Sequence, residues 1–136
     1  MQLTRRFGAL LVSSLVSLGT AGCGGSGDCE LSQIQPSQLP DARVGEPYAV
    51  QFSSEKIGRD CESEPTFELG EDRPGHKTPL PPGLALSLQG SLSGTPITAG
   101  SYDFSVWALI GCQDANAYVC LRRAPDANLH LTVVPR

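Results

Sequence analysis

The chain has 136 residues, with ten Lys and Arg against fourteen Asp and Glu, for a formal net charge of −4. That length allows one domain, and the acidic balance argues against nucleic acid as a partner, because phosphate binding needs clustered Lys and Arg. It also offers no polybasic patch for anionic lipid.

The first residues have the pattern of an export signal. Arg5 and Arg6 precede "FGALLVSSLVSLGTAG", whose apolar core, Phe7 to Leu18, is too short to span a bilayer as a helix of roughly 20 residues. The run ends in "LGTAGC" and leads into "GGSGD". Ala21, Gly22 and Cys23 resemble the lipobox of bacterial lipoproteins, in which small residues precede a cysteine that becomes the lipidated first residue. The resemblance implies a signal over residues 1–22 and a diacylglyceryl anchor on Cys23. The competing reading is a secretory signal cleaved near Ala21, which leaves a secreted domain. Removal of residues 1–22 takes away two of the basic residues and none of the acidic ones, so the remainder carries −6.

Cysteine parity bears on the same point. The five cysteines are Cys23, Cys29, Cys61, Cys112 and Cys120, and an odd number in an exported protein leaves one unpaired. With lipid on Cys23, the other four can form two disulfides in an oxidising compartment. Four cysteines allow three connectivities. "CQDANAYVC" can turn back on itself, which favours Cys112 with Cys120 and leaves Cys29 for Cys61.

Residues 23–38 are Gly-, Ser- and Gln-rich and read as a flexible tether, with a domain over 39–136. Past a turn at Gly45-Glu46-Pro47, Tyr48, Val50 and Phe52 alternate with Ala49 and Gln51, the period of a strand with one buried face. A weaker strand surrounds Phe67 and Leu69, and Glu71 to Thr78 reads as a polar loop. "GLALSL" alternates through Leu84, Leu86 and Leu88, and a short strand around Leu92 is closed by Gly94-Thr95-Pro96. The clearest strand puts Tyr102, Phe104, Val106, Ala108 and Ile110 on one face. The last turns Leu129, Leu131 and Val133 inward. No helical period follows the signal. Many short strands separated by Gly/Pro turns indicate an all-β sandwich.

The blocks "LPDARVGEPYAVQF" and "LPPGLALSLQGSLSGTPITAGSYDFSVWA" resemble the putative-Ig domains of bacterial surface proteins, within the cadherin-like and dystroglycan-type Ig sandwiches. The resemblance is carried by Gly45 with Tyr48, Leu80 to Leu84, Ser93 to Pro96, and Ala99 to Val106. It implies an Ig-like, cadherin-like β-sandwich over Leu39 to Val134. Two segments depart from the pattern: "CQDANAYVCLRRAPDA" between Gly111 and Asn128, and "GEDRPGHKT" before Leu80. Both read as surface loops, where binding function tends to sit.

Candidate sites are few. His76 falls in a loop and His130 on the outward face of the last strand, and no serine sits in a nucleophile elbow, so the reading is non-catalytic. Cys61, Cys112 and Cys120 lack CxxC spacing, which argues against zinc. Two "DAN" triplets place Asp114, Asn116, Asp126 and Asn128 as candidate calcium ligands, although Asp and Asn also favour turns by bonding their own backbone. Strand parity turns Trp107 away from the core. There it either contacts a partner protein or glycan or is covered by the Cys112–Cys120 insertion. The sequence therefore reads as a lipid-anchored cell-envelope protein displaying one non-catalytic Ig-like binding or spacer module. Gly24 after Cys23, rather than Asp, fits the outer membrane of a double-membraned cell. The alternatives are a calcium-binding cadherin-like adhesion module and a structural envelope component without a specific ligand.

Overall fold

The computed structural model describes residues 28–61, 63–113 and 119–136, apart from the side chains of residues 112, 113, 119 and 120. Twelve strands and no helix occur among the described residues: β1 (Cys29–Leu31), β2 (Ala42–Arg43), β3 (Tyr48–Gln51), β4 (Lys56–Gly58), β5 (Thr66–Leu69), β6 (Glu71–Arg73), β7 (His76–Lys77), β8 (Leu84–Leu86), β9 (Ser91–Gly94), β10 (Gly100–Gln113), β11 (Val119–Arg123) and β12 (Ala127–Val134). The long β10 organises one sheet. Its first half pairs antiparallel with β12 and its last five residues with β11, while β5 pairs on the opposite edge over Val106–Leu109. β2 joins β12 in parallel. The second sheet runs β3-β9-β8, all antiparallel. The described elements are all strands, and the β10 and β3-β9-β8 sheets enclose one core, which makes the fold an all-β sandwich.

The core follows from period-two alternation. Phe104, Val106, Ala108 and Ile110 of β10 are buried, as are Leu129, Leu131 and Val133 of β12. They pack with Phe52 and Leu92 from the side of the second sheet, and half-buried Val50, Leu84 and Leu86 complete the contact. Each fully buried side chain of this size contributes about 1.5–3 kcal/mol. Tyr102 begins the central strand and donates a hydrogen bond from its hydroxyl to the Thr98 carbonyl, at 3.1 Å. The bond ties the start of β10 to the turn that precedes it.

The Pro- and Gly-rich block from Leu80 to Pro96 is a clasp between two stretches of backbone. The Thr95 N–H donates to the Gly83 carbonyl at 3.1 Å, and the Ile97 N–H to the Pro82 carbonyl at 3.0 Å. Gly83 has φ +95°, and a Cβ there would lie 2.0 Å from the Thr95 oxygen; Gly94 has φ +142°, and a Cβ would lie 2.1 Å from the Gly83 oxygen. Neither site admits a side chain. Pro81 and Pro96 are fully buried against this contact. The two halves of the motif co-occur in the sequence because they touch in space.

Four segments differ from the sequence-based expectation. Residues 28–38 are built into the sandwich: β1 pairs with β4, Cys29, Leu31 and Ile34 are buried, and Cys29 is disulfide-bonded to Cys61. Three well-spaced apolar residues outweigh the polar composition that suggested a tether. Glu71 to Lys77 forms the β6–β7 hairpin rather than an irregular loop. Leu88 is 62% exposed, because the β8–β9 ladder ends at Leu86 and Leu88 lies in the turn beyond it. The excursion after Gly111 continues the β10–β11 ladder as far as Gln113 opposite Val119, so it lengthens a hairpin instead of interrupting the sheet.

Candidate functional site

The outward face of the β10 sheet gathers the side chains able to take part in recognition. Odd-numbered residues of β10 point there, and the register sets their neighbours. Trp107 stands opposite Glu68 of β5, and Leu109 stands between Thr66 and Arg123. Trp107 is half-buried. The Arg123 guanidinium carbon lies 4.5 Å from its ring centroid, a cation–π contact that contributes about 0.5–1 kcal/mol at such a site. Arg123 also reaches Asp126 at 3.4 Å, and Lys77 pairs with Glu68 at 2.9 Å. One ring face of Trp107 is thus shielded by a residue of the insertion, while Leu121, two residues before Arg123, is 74% exposed.

Further along the same face lies a shallow cleft between the β6–β7 hairpin and β12, lined by Glu71, Asp72, Thr78, Asp103, Asn128 and His130 among others. Two histidine–aspartate pairs flank it. His130 meets Asp103 across the β10–β12 ladder, and His76 meets Asp72 within its hairpin, each with Nδ1 and Oδ1 2.7 Å apart. The Thr132 hydroxyl lies 3.5 Å from the other nitrogen of His130, so Asp103, His130 and Thr132 follow the order of a hydrolase triad. The setting does not match the order. The side chains of His130 and Asp103 are 55% and 86% exposed, and high-dielectric surroundings remove most of the charge stabilisation that such groups supply in a closed site.

The candidate calcium ligands fall in different surroundings. Asp126 is held by Arg123. Asn128 stands opposite Ser105 in the β10–β12 ladder, and Asp114 and Asn116 lie outside the described residues. No group of three or more His, Cys, Asp or Glu able to hold a metal occurs among the described residues. Residues 1–22 and Cys23 also lie outside them, and no described helix is long and apolar enough to cross a membrane.

Comparison with known proteins establishes no kinship: no family model matches the chain, and no curated protein matches it.

The cysteines are ordered by the backbone. Cys29 and Cys61 are joined, with Cα atoms 5.1 Å apart. Cys112 stands directly opposite Cys120 on adjacent antiparallel strands, a position with a Cα spacing of about 4.5–5.5 Å, inside the range of about 4.4–6.8 Å that a disulfide spans. Tyr48 sits beside Asp41 at the edge of the core. Partial burial, followed by the nearby Asp41 charge, raises its phenol above the ordinary 10.0, and its hydroxyl donates to the Pro40 carbonyl at 2.9 Å.

Sequence reasoning did not find the His130–Asp103 pair or the Arg123–Trp107 stack. The signal was present in strand parity, which sends all four outward. Only the cross-strand register says which of them meet.

Proposed function

We propose that the protein is a lipid-anchored component of the bacterial cell envelope, displaying one non-catalytic Ig-like module that binds an envelope protein or glycan or acts as a spacer. The observation that carries this reading is the sorting of the cysteines. Cys29 is bonded to Cys61 and Cys112 faces Cys120 across the ladder; a bridge between these last two would leave Cys23 over, at the position where the Ala-Gly-Cys sequence resembles a lipobox. The non-catalytic part is supported by the solvent exposure of both histidine–aspartate pairs. The module's likeness to putative-Ig domains rests on the motif residues and the strand order.

Two measurements on cells expressing the full chain test the reading. The mature protein should partition with membranes, and its N-terminal peptide should begin at Cys23 with the mass of a diacylglyceryl adduct. Cys23→Ser should abolish the adduct and the processing that depends on it. A mature chain beginning elsewhere with an unmodified Cys23 would replace the anchor with a secreted domain.

A further inference from the structure

We infer that the lipid anchor, on the reading just proposed, holds the β10–β11 hairpin end of the sandwich against the bilayer and turns the opposite end outward. The path of the first described segment carries the inference. Asp28 donates its backbone N–H to the Asp60 carboxylate at 2.9 Å, and the adjacent Cys29 is fixed to Cys61. β1 packs against β11 and β10. Gln33, Ile34 and Ser37 then line a cleft with Pro125 to Leu129, and β2 runs parallel to Val133 and Val134. The chain from Asp28 to Arg43 therefore travels beside β11 and β12 in their own direction, starting at the hairpin end.

Lengths decide what that start allows. Five residue steps separate Cys23 from Asp28, at most about 18 Å of fully extended chain. β10 runs from Gly100, opposite Val133, to Gly111, opposite Leu121, a distance of roughly 37 Å at the rise of an antiparallel strand. An anchor attached near Leu121 cannot bring the Gly100 end to the membrane surface while the hairpin end points away. The near end exposes Leu121, and Ile57 at 52%, which pairs with Glu30 next to Cys29; the far end exposes Ile97, so the orientation rests on the chain path and the tether length, not on apolar exposure. The far end presents the turns at Gly45 and Pro96, joined by the Gly45 N–H to the Pro96 carbonyl. A binding partner would meet these turns first.

The test uses full-length protein purified from membranes and reconstituted into phosphatidylethanolamine/phosphatidylglycerol vesicles, with dansyl on a fraction of the headgroups. Energy transfer from tryptophan reports proximity to the surface. Trp107 is the single tryptophan, so Leu121→Trp and Ile97→Trp in a Trp107→Phe background mark the two ends. Transfer is expected to fall in the order Leu121→Trp, wild-type Trp107, Ile97→Trp, with a several-fold difference between the ends. A Gly-Ser insertion of about twelve residues before Asp28, spanning roughly 19 Å on average, should lower transfer from the wild-type Trp107. This second comparison stands without the Trp107→Phe background, should that variant fold poorly. Equal transfer from both ends, or no effect of the insertion on vesicle-bound protein, would overturn the orientation while leaving the anchor intact. A protein without diacylglyceryl mass that stays in the supernatant would overturn the anchor and the orientation together.

Discussion

The clasp from Leu80 to Pro96 and the outward face of the β10 sheet are opposite kinds of region. The clasp carries the most distinctive sequence in the chain, and every feature of it is spent on geometry: two glycines that meet backbone to backbone and two buried prolines. The outward face carries Trp107, Arg123, His130 and Asp103, side chains capable of recognition, with no motif around them. The contrast teaches that in such a sandwich a dense motif marks where the backbone is constrained. Recognition, in contrast, depends on exposed side chains that the fold leaves free to vary.

If that division holds, changes at the constrained points should cost far more than changes on the outward face. The largest loss is expected for Cys29→Ser, which opens a loop closed over a separation of 32 residues and should cost about 3.5 kcal/mol from loop entropy. Urea unfolding checks it, and a loss below about 1 kcal/mol would mean that the bridge constrains little. Gly83→Ala forces a Cβ into the Thr95 carbonyl at a positive φ; a loss of about 3 kcal/mol is expected in the same measurement, and a neutral variant would remove the clasp as a constraint.

Tyr48 comes next. Its raised folded-state value means that stability present below about pH 10 is lost as the pH climbs from 10 through that higher value. Tyr48→Phe should remove this part of the alkaline loss, and at neutral pH it should cost about 1 kcal/mol for the bond to Pro40. An unchanged alkaline slope in melts between pH 9 and 11 would contradict the assignment. The smallest effect belongs to the outward face. Arg123→Ala should cost less than about 1 kcal/mol while making Trp107 fluorescence more sensitive to acrylamide. Unchanged quenching would mean that Arg123 does not shield the ring.

Most of the fold was legible because its strands alternate cleanly: the buried faces of β10 and β12 were assigned residue by residue from parity. β1 and β4 were not. Three-residue strands are too short to show a period, and what makes them structure is a disulfide across a long loop and packing against β11. The site was legible only in part. Parity put Trp107 and His130 outside, but their partners Arg123 and Asp103 lie 16 and 27 positions away in the chain, and only the ladder register joins them. That Cys112 and Cys120 stand opposite each other was readable, because nine residues with cysteine at both ends invite a hairpin.

The cysteine sorting ties the fold to the proposed function, and a non-reduced, disulfide-linked peptide map of protein purified from membranes tests it most directly. Linked peptides joining Cys29 to Cys61 and Cys112 to Cys120, with Cys23 recovered alone as a lipid adduct, are the expected result. A linked peptide containing Cys23, or Cys112 and Cys120 bound to any other cysteine, would contradict it.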